Sequence, residues 1–155
     1  MPLQKLRNFL DEQGVRYVLI VHSPAYTAQE IAASAHIPGK KLAKTVMAKV
    51  DGKMSMFVLP ATYQLDLSKC KAEMNAKEVE LASEEEFKYL FPECEIGAMP
   101  PFGNLYGLPV YACKELAEND EIAFNAGNHR ELIKLPFADF QRLVNPMIID
   151  ITKEM

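Results

Sequence analysis

The alternation of apolar and polar positions is clearest between residues 42 and 59, where it predicts two paired strands. Residues 42–50 are joined by Asp51-Gly52, a typical two-residue hairpin turn, to a partner strand at residues 53–59. Because side chains of a strand alternate between two faces, one face of the first strand carries Leu42, Lys44, Val46, Ala48 and Val50. Lys44 is the charged member of that apolar face, and we therefore predict that it points inward.

Apolar residues at helical spacing predict several helices around this hairpin. Residues 3–10 form an amphipathic pattern, and Thr27-Ala28-Gln29-Glu30 is a capping box that begins a second helix ending near residue 35. Residues 66–91 are mostly helical and acidic, with another capping box at residues 83–86, and a last helix begins near Pro136. Further strands are predicted at residues 15–21, 79–81, 110–113, 121–125, 131–134 and 147–151. The sum is a single α+β domain, residues 1–155, with a mostly antiparallel sheet and helices packed against it.

Composition narrows the class of protein. The 155 residues suffice for one domain with a substantial core. The apolar runs are far shorter than the roughly twenty residues of a membrane span, and the first residues do not show a signal-peptide pattern, so we expect a cytoplasmic protein without membrane contact. The three cysteines, Cys70, Cys94 and Cys113, are scattered and not paired with histidines at metal-ligand spacing. We therefore expect reduced thiols, no metal and no cofactor.

The charge is distributed unevenly. The net charge of −4 argues against a protein that coats nucleic acid non-specifically, and we expect no DNA partner. Residues 40–53 nevertheless contain five lysines and one aspartate, a balance of +4 that leaves −8 for the rest of the chain. This segment is either a solvated strand face or a local basic site for an RNA end, which needs only a few phosphate contacts.

Two further segments have compositions suited to a binding site. Residues 97–103, Gly-Ala-Met-Pro-Pro-Phe-Gly, combine backbone freedom at glycine with prolines that stiffen the chain. Ala126-Gly127-Asn128 forms a predicted turn that brings His129 to a strand end. Lys44 adds a candidate cation, since an inward ammonium must reach water or have an anionic partner.

Taken together, the Lys44-Thr45-Val46 run before a hairpin, the Gly97-x-x-x-Pro101 loop and the Ala126-Gly127 turn resemble the YbaK/prolyl-tRNA-synthetase-associated editing domain family. The resemblance covers roughly residues 22–151. It implies that family's fold, with a barrel-like sheet, and a free-standing hydrolase of mischarged aminoacyl-tRNA, most often tRNA for proline carrying alanine or cysteine. The partners implied are the acceptor end of that tRNA and, as a further candidate, a prolyl-tRNA synthetase.

The resemblance also implies roles for particular residues. Lys44 would be a fixed cation, the amides of Gly97, Ala98 and Met99 would be oxyanion donors, and His129 would orient water or the ribose hydroxyl. The substrate would further contact His22, Tyr26, Thr45, Pro100, Pro101, Phe102, Gly127 and Asn128. Tyr26 and Phe102, together with Tyr106, are candidates to stack on the terminal adenine.

Other interpretations of the same residues stay open. The histidines and aromatic residues could be structural, and we do not expect any cysteine to be a nucleophile because the chain places no histidine near one. The whole domain could bind an RNA 3′ end or a nucleotide as an adaptor without hydrolysis, or present its acidic residues 73–95 to a protein partner. Within the hydrolase interpretation we favour alanine as the amino acid removed and water as the nucleophile.

Overall fold

The computed structural model describes residues 3–154 and consists of one open sheet, a small two-stranded sheet and five α-helices. The strands are β1 (Val18–Val21), β2 (Leu42–Val50), β3 (Lys53–Pro60), β4 (Tyr63–Leu65), β5 (Val79–Leu81), β6 (Val110–Cys113), β7 (Glu121–Asn125), β8 (Glu131–Pro136), β9 (Met147–Ile149) and β10 (Thr152–Glu154). The helices are α1 (Gln4–Glu12), α2 (Ala28–Ala35), α3 (Leu67–Met74), α4 (Glu84–Phe87) and α5 (Phe137–Val144). The expected α+β class is confirmed.

The main sheet has the order β1-β8-β7-β2-β3-β6-β9, with β5 also paired to β2, and β4 pairs with β10 separately. Its β2–β7, β3–β6 and β6–β9 pairs are parallel and its other four pairs are antiparallel, so the sheet is mixed, with most pairs antiparallel as expected. The sheet path does not close on itself, which corrects the expected barrel-like form. Side-chain alternation reports which face a residue lies on but not the direction of the neighbouring strand, and this is why the sequence did not show the parallel pairs.

The predicted hairpin is confirmed, with Val50 opposite Lys53. Asp51 and Gly52 both have positive φ, 49° and 83°, as a type I′ turn requires. The Asp51 carboxylate also accepts hydrogen bonds from the amides of Lys77 and Glu78, which ties the turn to the chain before β5. Both predicted capping boxes are present, at Thr27 and at Ser83.

The main sheet is covered on both faces, so β2 is buried on both sides. Ala43 and Met47 lie in the larger core, which includes residues of α1 and α5. On the opposite face, Leu42 joins a smaller core with Ile31 of α2 and Leu132 of β8. Lys44 follows Leu42 by two positions and therefore leaves the sheet on the face that α2 covers. No helix within residues 3–154 is long and apolar enough to cross a membrane.

An ion pair joins the hairpin to α4. The Lys49 ammonium donates a hydrogen bond to Glu86, whose carboxylate also accepts from the amide of Ser83. Mainly because of Lys49, and then because of Ser83, the pKa of Glu86 falls to about 2. Glu86, one of the acidic residues in the segment 73–95, therefore has a partner within the domain.

We expect Glu86→Gln to make the protein less sensitive to acid. A carboxylate with a depressed folded-state pKa stabilises the fold above its ordinary pKa near 4.5, and this stabilisation is lost as the pH falls toward about 2. Urea unfolding at pH 7 and at several values between 5 and 2 measures the effect. The variant should lose less stability over that acid range than the parent protein does. Identical pH profiles would show that the Glu86 ion pair does not couple protonation to folding.

Candidate active site

The candidate site lies at a gap in the main sheet between β2 and β7. The two strands pair only at Leu42 and Ala43, while pairing with β5 begins at Ala48 and the Met47 carbonyl accepts from Ala82. Along residues 44–46 this edge of β2 therefore has no paired strand within the part of the chain described. We call this opening the sheet gap.

The sheet gap is bridged by residues 95–99, which we call the 95–99 loop. The Thr45 hydroxyl donates to the Met99 carbonyl at 3.1 Å on one side of the loop. The amide of Gly127 donates to the Ala98 carbonyl at 3.0 Å on the other side, and the amide of Glu95 donates to the Gly127 carbonyl at 2.8 Å. The loop thus takes the place of a strand between β2 and the turn that follows β7, and it brings Thr45, Gly127 and Met99 together.

The backbone donors of the loop differ from the expected set. The amide of Ala98 donates to the Glu95 carbonyl at 3.0 Å, so it is not available to an oxyanion, and this corrects the role expected for Ala98. No acceptor for the amide of Gly97 or Met99 is found among residues 3–154. Gly97 is exposed and has a φ of +86°, a conformation that glycine adopts without strain. Two of the three expected donors are therefore free.

The two prolines and Phe102 anchor the loop in the core. All three residues are buried, and the Phe102 ring packs against Phe9, Phe124 and Phe140. Because Phe102 is 0% exposed, it cannot stack on a base, and the adenine-stacking role expected for it is wrong. Pro100 and Pro101 directly follow the 95–99 loop and are also buried, so they fix its C-terminal end against the core.

His129 packs over the loop with one ring nitrogen fixed and the other without a partner. Its Nε2 lies 2.9 Å from the carbonyl oxygen of Ile96, and since a carbonyl only accepts, Nε2 carries a hydrogen. In the neutral ring Nδ1 therefore holds a lone pair, and within residues 3–154 this buried atom has no hydrogen-bond partner. A Cβ built on Gly97 would lie 3.6 Å from Cε1 of His129, which places the ring directly beside the loop.

Tyr26 provides an exposed aromatic surface at the same place. Its side chain is 70% exposed, and its ring centroid is 4.7 Å from that of His129. The amide of Ala25 donates to the His129 carbonyl, which fixes the chain beside Tyr26 to the turn after β7. A large exposed aromatic ring over a buried histidine is available to stack on a ligand base.

Lys44 approaches the sheet gap from the opposite face. It is adjacent to Thr45 in β2, but its side chain lines a cavity of about 220 Å³ with Val46, Gln64, Leu65, Leu67 and Leu81. Neither the 95–99 loop nor His129 lines this cavity, so Lys44 lies on one side of the sheet gap and these two groups lie on the other. Lys44 is half-buried, and this burial lowers the pKa of its ammonium.

Of the remaining residues expected to contact substrate, His22 has an unpartnered ring nitrogen, whereas Asn128 and Gly127 have structural roles. His22 is buried, its Nδ1 donates to the Ser23 carbonyl at 2.7 Å, and its Nε2 has no partner within the described residues. Asn128 instead shapes the turn, since its side-chain oxygen accepts from the amides of Arg130 and Glu131. Gly127 is required for close packing, because a Cβ there would lie 3.0 Å from the Leu3 Cβ.

Asn125 is a candidate that the sequence did not suggest. It follows Phe124 in β7 as Lys44 follows Ala43 in β2, so both side chains leave the same face of the sheet where the parallel strands separate. Its side-chain oxygen is buried and has no partner among residues 3–154. The only sequence signal was a polar residue at the end of an apolar strand.

The cysteines do not have the properties of nucleophiles. Cys70 and Cys113 are buried, and burial raises the pKa of their thiols to about 11 and about 12. The pKa of Cys94 is also raised by burial. Since the thiolate is the reactive form, these thiols are unreactive near neutral pH.

The segment that contains this site matches a known protein family. A model of the aminoacyl-tRNA editing domain matches residues 22–143, which include β2, the 95–99 loop and His129. The chain belongs to the aminoacyl-tRNA editing domain family. Membership in this family places it among the aminoacyl-tRNA deacylases.

Relatives of this editing domain include free-standing and synthetase-linked proteins. The multifunctional Ser/Thr-tRNA deacylase ProXp-y of Escherichia coli K12 is 30% identical over 155 residues, covering 95% of this chain and 90% of the relative. The proline–tRNA ligase of Bacillus mycoides is 35% identical over 75 residues, which are 48% of this chain and 13% of the ligase. The crystal structure of a proposed trans-editing enzyme for prolyl tRNA synthetase superimposes with a TM-score of 0.81 at 22% identity, covering 97% of this chain and 96% of that one. At this sequence identity, the structural match shows that the two proteins share a fold.

Proposed function

We propose that this editing domain acts in trans on mischarged aminoacyl-tRNA and hydrolyses the ester that links a small amino acid to the 3′-terminal ribose. The observation that carries the proposal is the pair of free amides, at Gly97 and Met99, beside the unpartnered Nδ1 of His129. Amides without acceptors can stabilise an oxyanion, and a ring nitrogen with a free lone pair can accept a proton. Both groups are held in place before substrate binds.

In the proposed reaction, the ester carbonyl oxygen accepts hydrogen bonds from the amides of Gly97 and Met99. A water molecule attacks the carbonyl carbon while His129 Nδ1 takes one of its protons. The tetrahedral intermediate then collapses, the bond to the ribose oxygen breaks, and the proton passes from His129 to that oxygen. The aminoacyl ester is already activated, so positioning and oxyanion stabilisation provide most of the rate enhancement.

Lys44 and Tyr26 are proposed to hold the terminal nucleotide. Tyr26 would stack on the adenine, and Lys44 would approach from the other side of the sheet gap to neutralise the terminal phosphate. Asn125, on the same face as Lys44, offers a buried oxygen to a hydroxyl or amino group of the substrate. These roles are consistent with the sheet gap, because along residues 44–46 no strand lies between the two faces of the sheet at this edge of β2.

Selection of a small amino acid is proposed to depend on the rigidity of the loop. Pro100 and Pro101 are buried and fix the 95–99 loop against the core, so a large side chain cannot push it aside. A synthetase rejects a smaller amino acid poorly, because one missing methylene is worth only about 1–3 kcal/mol, whereas a second and smaller site excludes the larger cognate residue. Alanine or cysteine on tRNA for proline is the first candidate substrate. Serine or threonine is the second, because the Escherichia coli relative is named for these.

The test is a deacylation assay with tRNA charged with alanine, cysteine, serine, threonine or proline, using the parent protein and His129→Phe. The phenyl ring keeps the contact with Tyr26 and removes both ring nitrogens. We expect release of at least one small amino acid, sparing of proline, and a fall in kcat of about a hundredfold in the variant.

Thermal unfolding of the parent and of His129→Phe provides the control, since an unchanged Tm shows that the variant is folded. Tight binding of charged tRNA with no release from any of the five substrates would instead support an adaptor. Hydrolysis by His129→Phe at the parent rate would remove His129 from the mechanism.

A further inference from the structure

A second cavity, away from the sheet gap, contains two lysines without acidic partners. It lies at the C-terminal end of α2, has a volume of about 160 Å³, and is lined by His36, Lys41, Lys134 and Glu121 together with apolar residues. We call it the lysine pocket. Its size suits a group such as phosphate and is well below the roughly 300–1,000 Å³ of pockets for larger ligands.

The two ammonium groups lie in a setting that favours an anion. Lys41 and Lys134 are both half-buried, and neither side chain makes a hydrogen bond or ion pair within residues 3–154. Glu121, the acid of this lining, is exposed and is not within ion-pair distance of either lysine. Two partly desolvated like charges around one cavity repel each other until an anion joins them.

The helix end does not satisfy these lysines either. Two of the last four carbonyls of α2, those of Ala32 and Ala33, accept from the amides of Ile37 and His36. Within residues 3–154 neither the Lys41 nor the Lys134 ammonium donates to a carbonyl at this helix end, and both side chains line the cavity. His36 adds a third group that can donate to an anion, from a residue with a φ of 57° that turns the chain toward Lys41.

The pocket is placed suitably for an RNA strand that ends at the candidate active site. Tyr26 precedes the N-terminal end of α2, and the lysine pocket lies at its other end, roughly 12 Å away for a helix of eight residues. Lys134 also lies opposite Ala123, on the face of the sheet that α2 covers and from which Lys44 projects. A strand with its last base on Tyr26 would pass one of its earlier phosphates near this pocket.

We propose that the lysine pocket binds a backbone phosphodiester of the RNA substrate, a few nucleotides before the esterified terminus. This inference rests on the proposed function and adds to it a phosphate contact remote from the reacting ester. Such a contact fixes the register of the strand without reading its sequence. It would place the terminal adenosine at the sheet gap whichever amino acid is attached.

The test compares two doubly charge-reversed proteins, Lys41→Glu/Lys134→Glu and the control Lys71→Glu/Lys77→Glu, which changes the net charge equally at exposed lysines outside the pocket. Binding of uncharged tRNA is measured by fluorescence anisotropy at several salt concentrations. We expect the pocket variant to bind about tenfold more weakly than the control and the slope of log K against log salt to become shallower by about one to two. In deacylation the pocket variant should show a raised KM with kcat unchanged.

The outcomes separate this inference from the proposed function. Equal tRNA affinity and salt slope in the two variants would overturn the phosphodiester site, even if the parent protein deacylates normally. If the pocket variant loses tRNA affinity while the parent shows no hydrolysis, the pocket stands and the deacylase proposal falls. Inorganic phosphate is the second probe: it should compete with tRNA for the parent protein only weakly, and equally tight binding of free phosphate and tRNA would overturn the assignment to an RNA strand.

Discussion

Replacing Lys44 with alanine is expected to lower kcat/KM for deacylation about a hundredfold while leaving the protein folded. The ammonium is half-buried at the edge of the sheet gap, and a cation held in a partly desolvated place stabilises a phosphate or a developing negative charge more than a solvated one does. The rate is measured with the small-amino-acid tRNA that the parent protein hydrolyses best. Circular dichroism and thermal unfolding report whether the fold is retained.

Lys53→Ala is the matched control, because Lys53 lies in the partner strand β3 of the same hairpin and is exposed. It should retain the parent rate. Because Lys44 lines a cavity separate from His129, the variant also tests whether both faces of the sheet gap take part. An unchanged rate in Lys44→Ala would confine the chemistry to the face of the 95–99 loop, and an unfolded variant would make Lys44 a structural residue.

Replacing Phe102 with alanine is expected to destabilise the protein by about 3–5 kcal/mol. The ring is fully buried and contacts three other phenylalanines, one each from α1, β7 and α5, so its removal leaves a cavity where these elements meet. Urea unfolding measures the change in the free energy of unfolding. A role in base stacking would predict the reverse pattern, with lost tRNA affinity and little lost stability.

Tyr89→Ala is the control for this comparison, since that aromatic side chain is 75% exposed. Its removal should change the free energy of unfolding by less than about 0.5 kcal/mol. If Phe102→Ala were as stable as Tyr89→Ala, the packing of the Phe102 ring against the core would contribute little to the fold.

Features that depend on neighbouring residues in sequence could be predicted, and features that depend on strand order could not. The Asp51-Gly52 turn and the capping boxes at Thr27 and Ser83 follow from local backbone requirements, and all three are present. The parallel pairing of β2 with β7 joins segments about eighty residues apart, and no local signal specifies it. The sheet gap results from this pairing and was therefore not predictable.

The same limit applies to individual site residues. Alternation along β2 correctly separated Lys44 from Thr45, but only the structure shows that the loop approaches from the Thr45 side. The composition of residues 97–103 suggested an ordered loop, yet it could not show that the Ala98 amide is already bonded within that loop or that Phe102 belongs to the core. Asn125 was missed because its significance comes from an unpartnered buried oxygen, which depends on the surrounding packing.

The 95–99 loop belongs to the proposed active site and also attaches β2 to the turn after β7, so the proposed chemistry and the integrity of the domain depend on the same segment. Where other strands hold one another through a continuous ladder, these two are joined here by the bonds of Thr45 to Met99 and of Gly127 to Ala98. Evolution can therefore alter substrate preference at this loop only within changes that keep both attachments. Substitutions on the Lys44 side, proposed to contact the terminal nucleotide, should be tolerated more readily, because the residues that line that cavity do not bridge the two strands.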